Sequence, residues 1–151
     1  MNGGRPREIV NAATGESVRF IRTADETAGE LLVMEARWTR PRHRTPPHCH
    51  PAMEERWLVL EGRVGSRIDG AESVAGPGES VIAPRGSLHA NWDAGDGPAL
   101  MRIELRPALR WEEFVRQLFA LAGENLEGSV AERSITELLT EFEAEIVLPA
   151  M

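Results

Sequence analysis

The sequence lacks the features of a disulfide-bonded, exported or membrane-spanning protein. Its 151 residues include one cysteine, Cys49, which cannot form an internal disulfide, so folding does not depend on an oxidising compartment. No apolar run approaches the roughly 20 residues of a spanning helix, and the N-terminal MNGGRPREIV has no apolar stretch typical of a signal peptide. We therefore predict a cytoplasmic protein with no membrane partner.

The sequence also lacks lysine and tyrosine, and it contains no run of basic residues. Its 17 basic residues are all arginines, and 24 acidic residues bring the net charge to −7. Residues 1–111 hold 15 acids and 15 arginines, whereas residues 112–151 hold nine glutamates and two arginines. Because a nucleic-acid-binding protein usually carries a basic face, we predict no nucleic-acid partner. We interpret the acidic tail as the solvated face of helices, in preference to a docking tail for basic partners.

Short alternating segments dominate the first two-thirds of the chain, and the length fits one domain with a substantial core. The longest alternating segment runs from Gly29 to Thr39 and has one apolar face throughout, as in a half-buried strand. Turn signals such as Glu61-Gly62 and Asp69-Gly70 separate the segments. Many short strands with no helix between them predict a mostly β fold, an antiparallel sandwich or barrel.

After Pro107 the hydrophobic period becomes that of helices. Apolar residues recur at helical spacing from Trp111 to Ala122, and Gly123 is expected to end this helix as its C′ residue. Ser134 and Glu137 form a capping-box pattern that predicts the start of a second helix. The apolar stripe of that second helix is Ile135, Leu138, Leu139, Phe142 and Ile146. We interpret both stripes as packing surfaces rather than as cofactor or membrane contacts.

Three histidines and one glutamate have spacings that suit a metal site. On an extended strand successive side chains alternate between faces, so His48 and His50 point the same way while Cys49 points oppositely. After a short bend, a new strand near Glu55 can bring a carboxylate back beside the two imidazoles. A second stretch, rich in glycine and proline, delivers His89 from a different strand.

This ligand set indicates the kind of metal. Three imidazole nitrogens and one carboxylate suit Mn, Fe, Co, Ni, Cu or Zn better than Ca or Mg. Four protein ligands leave one or two positions open on a five- or six-coordinate metal, as a catalytic site requires. We therefore predict one divalent transition metal ion as cofactor, without choosing among these metals. The predicted ligands are His48, His50, Glu55 and His89.

In these stretches the chain resembles the cupin superfamily. The family's first motif, G-x5-H-x-H-x3–4-E-x6-G, and its second, G-x5-P-x-G-x2-H-x3-N, fall within about residues 29–106. The matching residues are His48, His50, Glu55 and Gly62 in the first motif, and Gly78, Pro84, Gly86 and His89 in the second. The resemblance implies a double-stranded β-helix, or jelly-roll barrel, over residues 1–106 with the metal inside it. Residues 107–151 would form a helical extension that packs on the barrel or on a partner chain, and homodimers are usual in the family.

Two positions depart from the family pattern, and neither is a ligand. Arg42 stands where the first motif begins with glycine, so the loop before His48 is expected to follow another path. At the end of the second motif an aspartate replaces the usual asparagine, and Asn91, two residues earlier, inherits no role. The six-residue gap before the last glycine of the first motif selects Glu55 rather than Glu54 as the carboxylate ligand.

Strand parity adds candidate pocket walls beside the metal, although each of these residues is interpreted equally well as plain core. Parity from Glu55 and from His89 places three of them on the inward side, and apolar residues of other strands complete the set. The candidates are Trp57, Val59, Asn91, Met34, Trp38, Met101 and Ile103. Outside both motifs, His43 is interpreted as a surface or hydrogen-bonded histidine, and Cys49 as a packing residue rather than a redox sensor.

Two functions of different classes fit these features. The first is a metal-dependent oxidoreductase that acts on a small oxygen-bearing organic substrate, with the dioxygenase-like chemistry of quercetinase-type cupins. In it Glu55 would serve as ligand and, if loosely held, as a catalytic base. The alternative is a non-catalytic cupin module that binds or senses a small ligand or metal, because no further histidine, cysteine or lysine aligns as an obvious acid, base or nucleophile. A metal-free barrel is disfavoured because all four ligands are present.

Overall fold

The computed structural model describes residues 4–124 and 128–149, with the main chain alone for residues 128–133. In this part of the chain, strands come first and helices follow. The strands are β1 (Glu8–Val10), β2 (Ser17–Arg22), β3 (Leu32–Trp38), β4 (Glu54–Glu61), β5 (Val64–Ile68), β6 (Ala71–Ala75), β7 (Ser80–Ala83), β8 (His89–Asp93) and β9 (Ala99–Arg106). The helices are α1 (Trp111–Gly123) and α2 (Gly128–Glu141).

The strands form two antiparallel sheets. The larger sheet has the order β1-β2-β3-β9-β4-β7, and the smaller one has the order β6-β5-β8. β3 and β4 both pair with β9, so strands far apart in sequence lie side by side. The predicted mostly β fold, an antiparallel jelly-roll followed by two C-terminal helices, is confirmed.

Alternation along the central strands of the larger sheet builds the core. Every second residue of β9, from Ala99 to Leu105, is buried, and its neighbours Arg102 and Arg106 are exposed. The same alternation in β3 buries Met34 and Trp38. Each large apolar side chain withdrawn from water in this way contributes about 1.5–3 kcal/mol to stability. One face of the larger sheet thus becomes the wall of an interior.

Gly62 makes the turn from β4 to β5 possible. Its φ angle is +78°, which side chains other than that of glycine rarely adopt. A Cβ atom at this position would lie 2.4 Å from the carbonyl oxygen of Pro98. The glycine is therefore required by both its conformation and the close approach of the chain before β9.

The two helices and the segment after them cover one side of the sheets. α1 buries Trp111 and Phe114, and the ring centroid of Phe114 lies 5.5 Å from that of Phe142, just beyond α2. The guanidinium of Arg116 lies over the ring of Phe20 in β2, at 4.5 Å from its centroid. Neither described helix has the length and apolar composition needed to cross a membrane.

Three details of the predicted helices are wrong. α2 begins at Gly128 rather than at Ser134; the good helix formers Ala131, Glu132 and Arg133 directly precede the capping-box pattern, and the helix runs through both. α1 includes Gly123, and the cap is Glu124 with a right-handed φ of −79°, so no left-handed C′ glycine ends this helix. Ile146 is buried, but it lies beyond α2, just after the turn of residues 142–145, rather than on the helical stripe.

Candidate metal centre

The four predicted ligands lie together in the interior. His48, His50, Glu55 and His89 are all buried, and one candidate ligand atom from each lies within 4.8 Å of the others. His48 and His89 are brought together by two main-chain hydrogen bonds of 2.9 Å, in which the N–H of each residue donates to the carbonyl of the other. This pairing joins the segment before β4 to the smaller sheet, so ligands from separate stretches face one point.

Glu55, at the start of β4, is the carboxylate of the cluster. Its Oε1 lies 3.0 Å from Nε2 of His50 and 3.0 Å from Nε2 of His89. The neighbouring Glu54 is half-buried, and in the strand register it lies opposite Arg106 of β9, whereas Glu55 lies opposite Leu105. Because side chains on a strand alternate, only one of the two glutamates can enter the interior.

All three imidazoles are held through Nδ1 by main-chain carbonyl oxygens. A carbonyl oxygen can only accept, so each Nδ1 carries a hydrogen and donates it. Each Nε2 is thereby left to face the centre of the cluster, which is the arrangement that a metal-ligating histidine needs. The pairs are His48 with Pro46 at 2.7 Å, His50 with Glu145 at 2.9 Å and His89 with Ser87 at 3.2 Å.

Electrostatics distinguish the members of the cluster. Burial lowers the pKa of His48 to about 4, so this imidazole is neutral over the physiological range. Burial also acts to lower the pKa of His50, but its hydrogen bond to Glu55 and the charge of that carboxylate raise it overall. For Glu55 burial acts to raise the pKa, and the contacts with His50 and His89 outweigh it, so the pKa lies well below its usual range.

The donor set fits a transition metal. Three Nε2 lone pairs and one carboxylate converge in a buried site, and such a group of acceptors needs a cation among them. A proton on His50 is one way to supply that positive charge, and a divalent ion is another. Nitrogen and oxygen donors in the ratio of three to one suit the borderline transition metals rather than Ca or Mg.

The cluster opens onto a cavity of about 400 Å³. Two cluster members, His48 and Glu55, line it, and most of the remaining wall is apolar. Five of the seven candidate pocket residues are in the wall: Met34, Trp38, Asn91, Met101 and Ile103. Trp57 and Val59 are fully buried and lie outside the wall of this cavity, with the ring of Trp57 6.1 Å from that of His89.

The cavity contains a second carboxylate that no sequence motif had indicated. Glu16 lines the wall together with His43, and its Oε2 accepts a 3.0 Å hydrogen bond from Nε1 of Trp38. Burial raises the pKa of Glu16 to about 7, although the bond from Trp38 acts to lower it. His43 is stacked on Trp38 at 4.6 Å between centroids, and burial lowers its pKa.

The C-terminal part of the chain also reaches the site, which the sequence had indicated only as apolar stripes. The ring of Trp111, at the start of α1, meets the imidazole of His50 edge-on at 4.8 Å between centroids. Side chains of α1, of α2 and of the segment after α2 complete the apolar wall of the cavity. Examples are Phe114, Leu118, Leu139 and Ile146.

Together these features define a class: a small antiparallel β-barrel protein with a buried three-histidine, one-glutamate centre that could hold a metal, open to an apolar cavity. The family model described as "Cupin domain" matches residues 39–105, which contain all four cluster residues. Residues 39–105 are therefore a cupin domain. Among curated proteins, no sequence matches the chain significantly.

Solved structures support the fold. A recombinant oxalate oxidase in complex with glycolate superimposes with a TM-score of 0.53 at 24% identity, over 63% of this chain and 52% of that one. KdgF from Halomonas sp. gives 0.59 at 14% identity, over 71% of this chain and 90% of that one. A predicted oxalate decarboxylase from Thermotoga maritima gives 0.60 at 14%, over 68% and 91%. The chain thus spans about half the length of the oxalate oxidase.

Proposed function

We propose that this protein is a metal-dependent oxidoreductase that binds one divalent transition metal ion and acts on a small oxygen-bearing organic substrate. The observation that carries the proposal is the convergence of three Nε2 atoms and the Glu55 carboxylate at one end of an apolar cavity. A closed structural metal site needs no such cavity beside it. The cytoplasmic location and the homodimer remain predictions from the sequence.

The roles of the four cluster residues follow from their hydrogen bonds. His48, His50 and His89 would hold the ion through Nε2, since their Nδ1 atoms are engaged by carbonyl oxygens. Glu55 would hold it through its carboxylate, and the lowered pKa of Glu55 favours the role of ligand over that of catalytic base. A bound divalent ion would polarise an oxygen atom of the substrate, and a redox-active one would support dioxygenase-like chemistry.

The cavity wall indicates the kind of substrate. Two structural neighbours are named for oxalate, a two-carbon dianion. The wall of this cavity is mostly apolar, and about 400 Å³ lies within the usual range for sites that enclose larger organic ligands. We therefore propose a substrate with an oxygen-bearing group at the metal and an apolar body in the cavity, as in quercetinase-type reactions.

The first test is the metal content of protein purified without added metal. We expect about one equivalent of a transition metal per chain, and its loss in a His50→Ala variant because one of four ligands is removed. A His43→Ala variant is the matched control, since His43 lies outside the cluster and should leave the metal content unchanged. Full metal content in His50→Ala would contradict the assigned site.

The second candidate is a non-catalytic module that binds a small ligand. The observation in its favour is that, among the described residues of the cavity wall, the only ionisable side chains besides His48 and Glu55 are Glu16, His43 and Arg44. Oxygen uptake with flavonols and diketones, measured with the Fe, Mn, Ni and Cu forms, separates the two candidates. Uptake with one of these forms supports the oxidoreductase, and ligand binding without uptake by any of them supports the module.

A further inference from the structure

The segment just after α2 holds one of the metal-site histidines. Nδ1 of His50 donates a 2.9 Å hydrogen bond to the main-chain carbonyl of Glu145, 95 residues further along the chain. The corresponding partners of His48 and His89 are Pro46 and Ser87, each two residues before its histidine. Of these three imidazoles, therefore, His50 alone depends on a distant segment for its orientation.

The same segment pairs with the main chain between two ligands. The N–H of Cys49 donates to the carbonyl of Val147 at 2.9 Å, and the N–H of Val147 donates to the carbonyl of Cys49 at 3.0 Å. Cys49 stands between His48 and His50 in sequence. This antiparallel bridge therefore fixes the backbone of the stretch from which two of the four ligands project.

The segment is itself anchored to the helices. Phe142 is fully buried, and its carbonyl accepts hydrogen bonds from the N–H groups of Glu145 at 2.9 Å and Ile146 at 3.0 Å. The carboxylate of Glu145, which is 4% exposed, accepts a 3.2 Å bond from the N–H of Arg110. Residues 142–147, which we call the C-terminal clamp, thus connect the helical extension to His50 through hydrogen bonds.

We propose that the C-terminal clamp is a positioning element of the metal centre, so that metal binding and docking of the clamp stabilise one another. The inference rests on the proposed function in one respect, that the cluster binds a transition metal. Partners that fix the tautomer and orientation of a ligating histidine are worth about 10–100-fold in metal affinity. Because coupling between two equilibria is reciprocal, a clamp that strengthens metal binding must be held more firmly when metal is bound.

A matched pair of variants at Val147 tests the proposal. Val147→Pro removes the N–H that donates to Cys49, whereas Val147→Ala keeps it and shortens a side chain that is 41% exposed. We expect the dissociation constant for Co²⁺, measured by competition with a chelator, to rise about 10-fold in Val147→Pro and less than twofold in Val147→Ala. Circular dichroism establishes that both variants remain folded. Equal affinities for Co²⁺ in two folded variants would overturn the proposal.

Hydrogen exchange of the unmodified protein provides a test that needs no variant. We expect saturating Co²⁺ to slow exchange at the amides of Cys49 and Val147 about 10-fold, with little change at the amides of β6, which is not among the elements hydrogen-bonded to the clamp in the described part of the chain. Identical exchange at both amides with and without bound Co²⁺ would overturn the clamp. Failure of the wild-type protein to bind Co²⁺ would instead overturn the proposed function, so the two failures are distinguishable.

Discussion

The two ends of the cavity hold one glutamate each, the buried Glu55 and the half-buried Glu16, and the pKa values of the two carboxyl groups are shifted in opposite directions. In the register of the larger sheet, Glu55 of β4 lies opposite Leu105 of β9. Trp38 of β3, whose indole donates to Glu16, lies opposite Ala99 of β9. The two rows are six residues apart on β9, or about 20 Å at ~3.3 Å per residue. Burial acts to raise the pKa of both carboxyl groups, yet Glu55 ends far below its usual range and Glu16 at about 7.

The difference lies in the number and kind of donors that surround each group. Glu55 contacts two imidazoles, either of which can carry positive charge, and their combined effect outweighs burial. The Glu16 side chain accepts a hydrogen bond from the neutral indole N–H of Trp38. This bond acts to lower the pKa of Glu16, but it does not outweigh the effect of burial. Burial by itself therefore does not identify a metal site in this protein; convergence of several nitrogen ligands on one carboxylate does.

The largest effect is expected when the negative charge of Glu55 is removed from the metal centre. Glu55→Gln replaces an anionic ligand by a neutral amide of the same shape, and we expect the affinity for Co²⁺ to fall about 100-fold or more, or about 3 kcal/mol. Isothermal titration measures it. Glu54→Gln, which changes the adjacent glutamate on the outer side of the strand, is the control and should stay within twofold. Affinities that fall equally in the two variants would contradict the choice of Glu55.

A smaller effect is expected at the other end of the cavity. The pKa of Glu16 is raised when the protein folds, so its contribution to stability is full below about pH 4.5 and is lost as the pH rises towards about 7. Glu16→Gln stays neutral at every pH and can still accept from Trp38. We expect the variant to equal the wild type near pH 4.5 and to exceed it by about 2 kcal/mol at pH 8.5, since one pKa unit is worth about 1.4 kcal/mol and partial exposure reduces the full effect.

Urea unfolding at a series of pH values measures this difference. Glu30→Gln, at an exposed glutamate, is the control and should show no such rise with pH. A stability gain for Glu16→Gln that is the same at pH 4.5 and pH 8.5 would exclude a raised pKa at Glu16.

The smallest effect concerns the indole donor. Trp38→Phe keeps an aromatic ring beside His43 but removes the N–H that stabilises the ionised form of Glu16, so the pKa of Glu16 should rise further. A hydrogen bond worth about 1 kcal/mol corresponds to about 0.7 pKa unit. The measured quantity is the pH above which the free energy of unfolding, determined in urea, no longer falls with rising pH. Trp57→Phe removes the same volume from a tryptophan whose N–H has no partner in the described part of the chain, and it should leave that pH unchanged.

Much of the fold and of the candidate centre could be predicted because the signals are local. Alternation over seven residues suffices to bury Met34 and Trp38 on one face of β3. The spacing of His48, His50 and Glu55 is set within one short stretch, and strand geometry converts it into a shared direction. The predicted start of α2 at Ser134 is wrong because the good helix formers Ala131, Glu132 and Arg133 lie directly before the capping-box pattern and continue the helix.

Residues that meet only after folding could not be found in this way. Glu16 carries no motif, and its place in the cavity depends on the pairing of β2 with β3, which sets it beside Trp38. Trp57 and Val59 share strand parity with Glu55, but parity does not reveal where the empty space lies. That space depends on how α1 packs over the sheets.

By itself, then, the sequence determined the antiparallel β architecture, which follows from periodicity, and the four residues of the centre, which follow from two short motifs that resemble the cupin pattern. The tertiary structure decided which donors hold those residues and what surrounds them. The carbonyl of Glu145 reaches His50 across 95 residues only because Phe142 and the two helices pack where they do. Burial against several elements likewise set the opposite pKa shifts of Glu55 and Glu16, because desolvation and hydrogen bonding depend on neighbours brought together by folding.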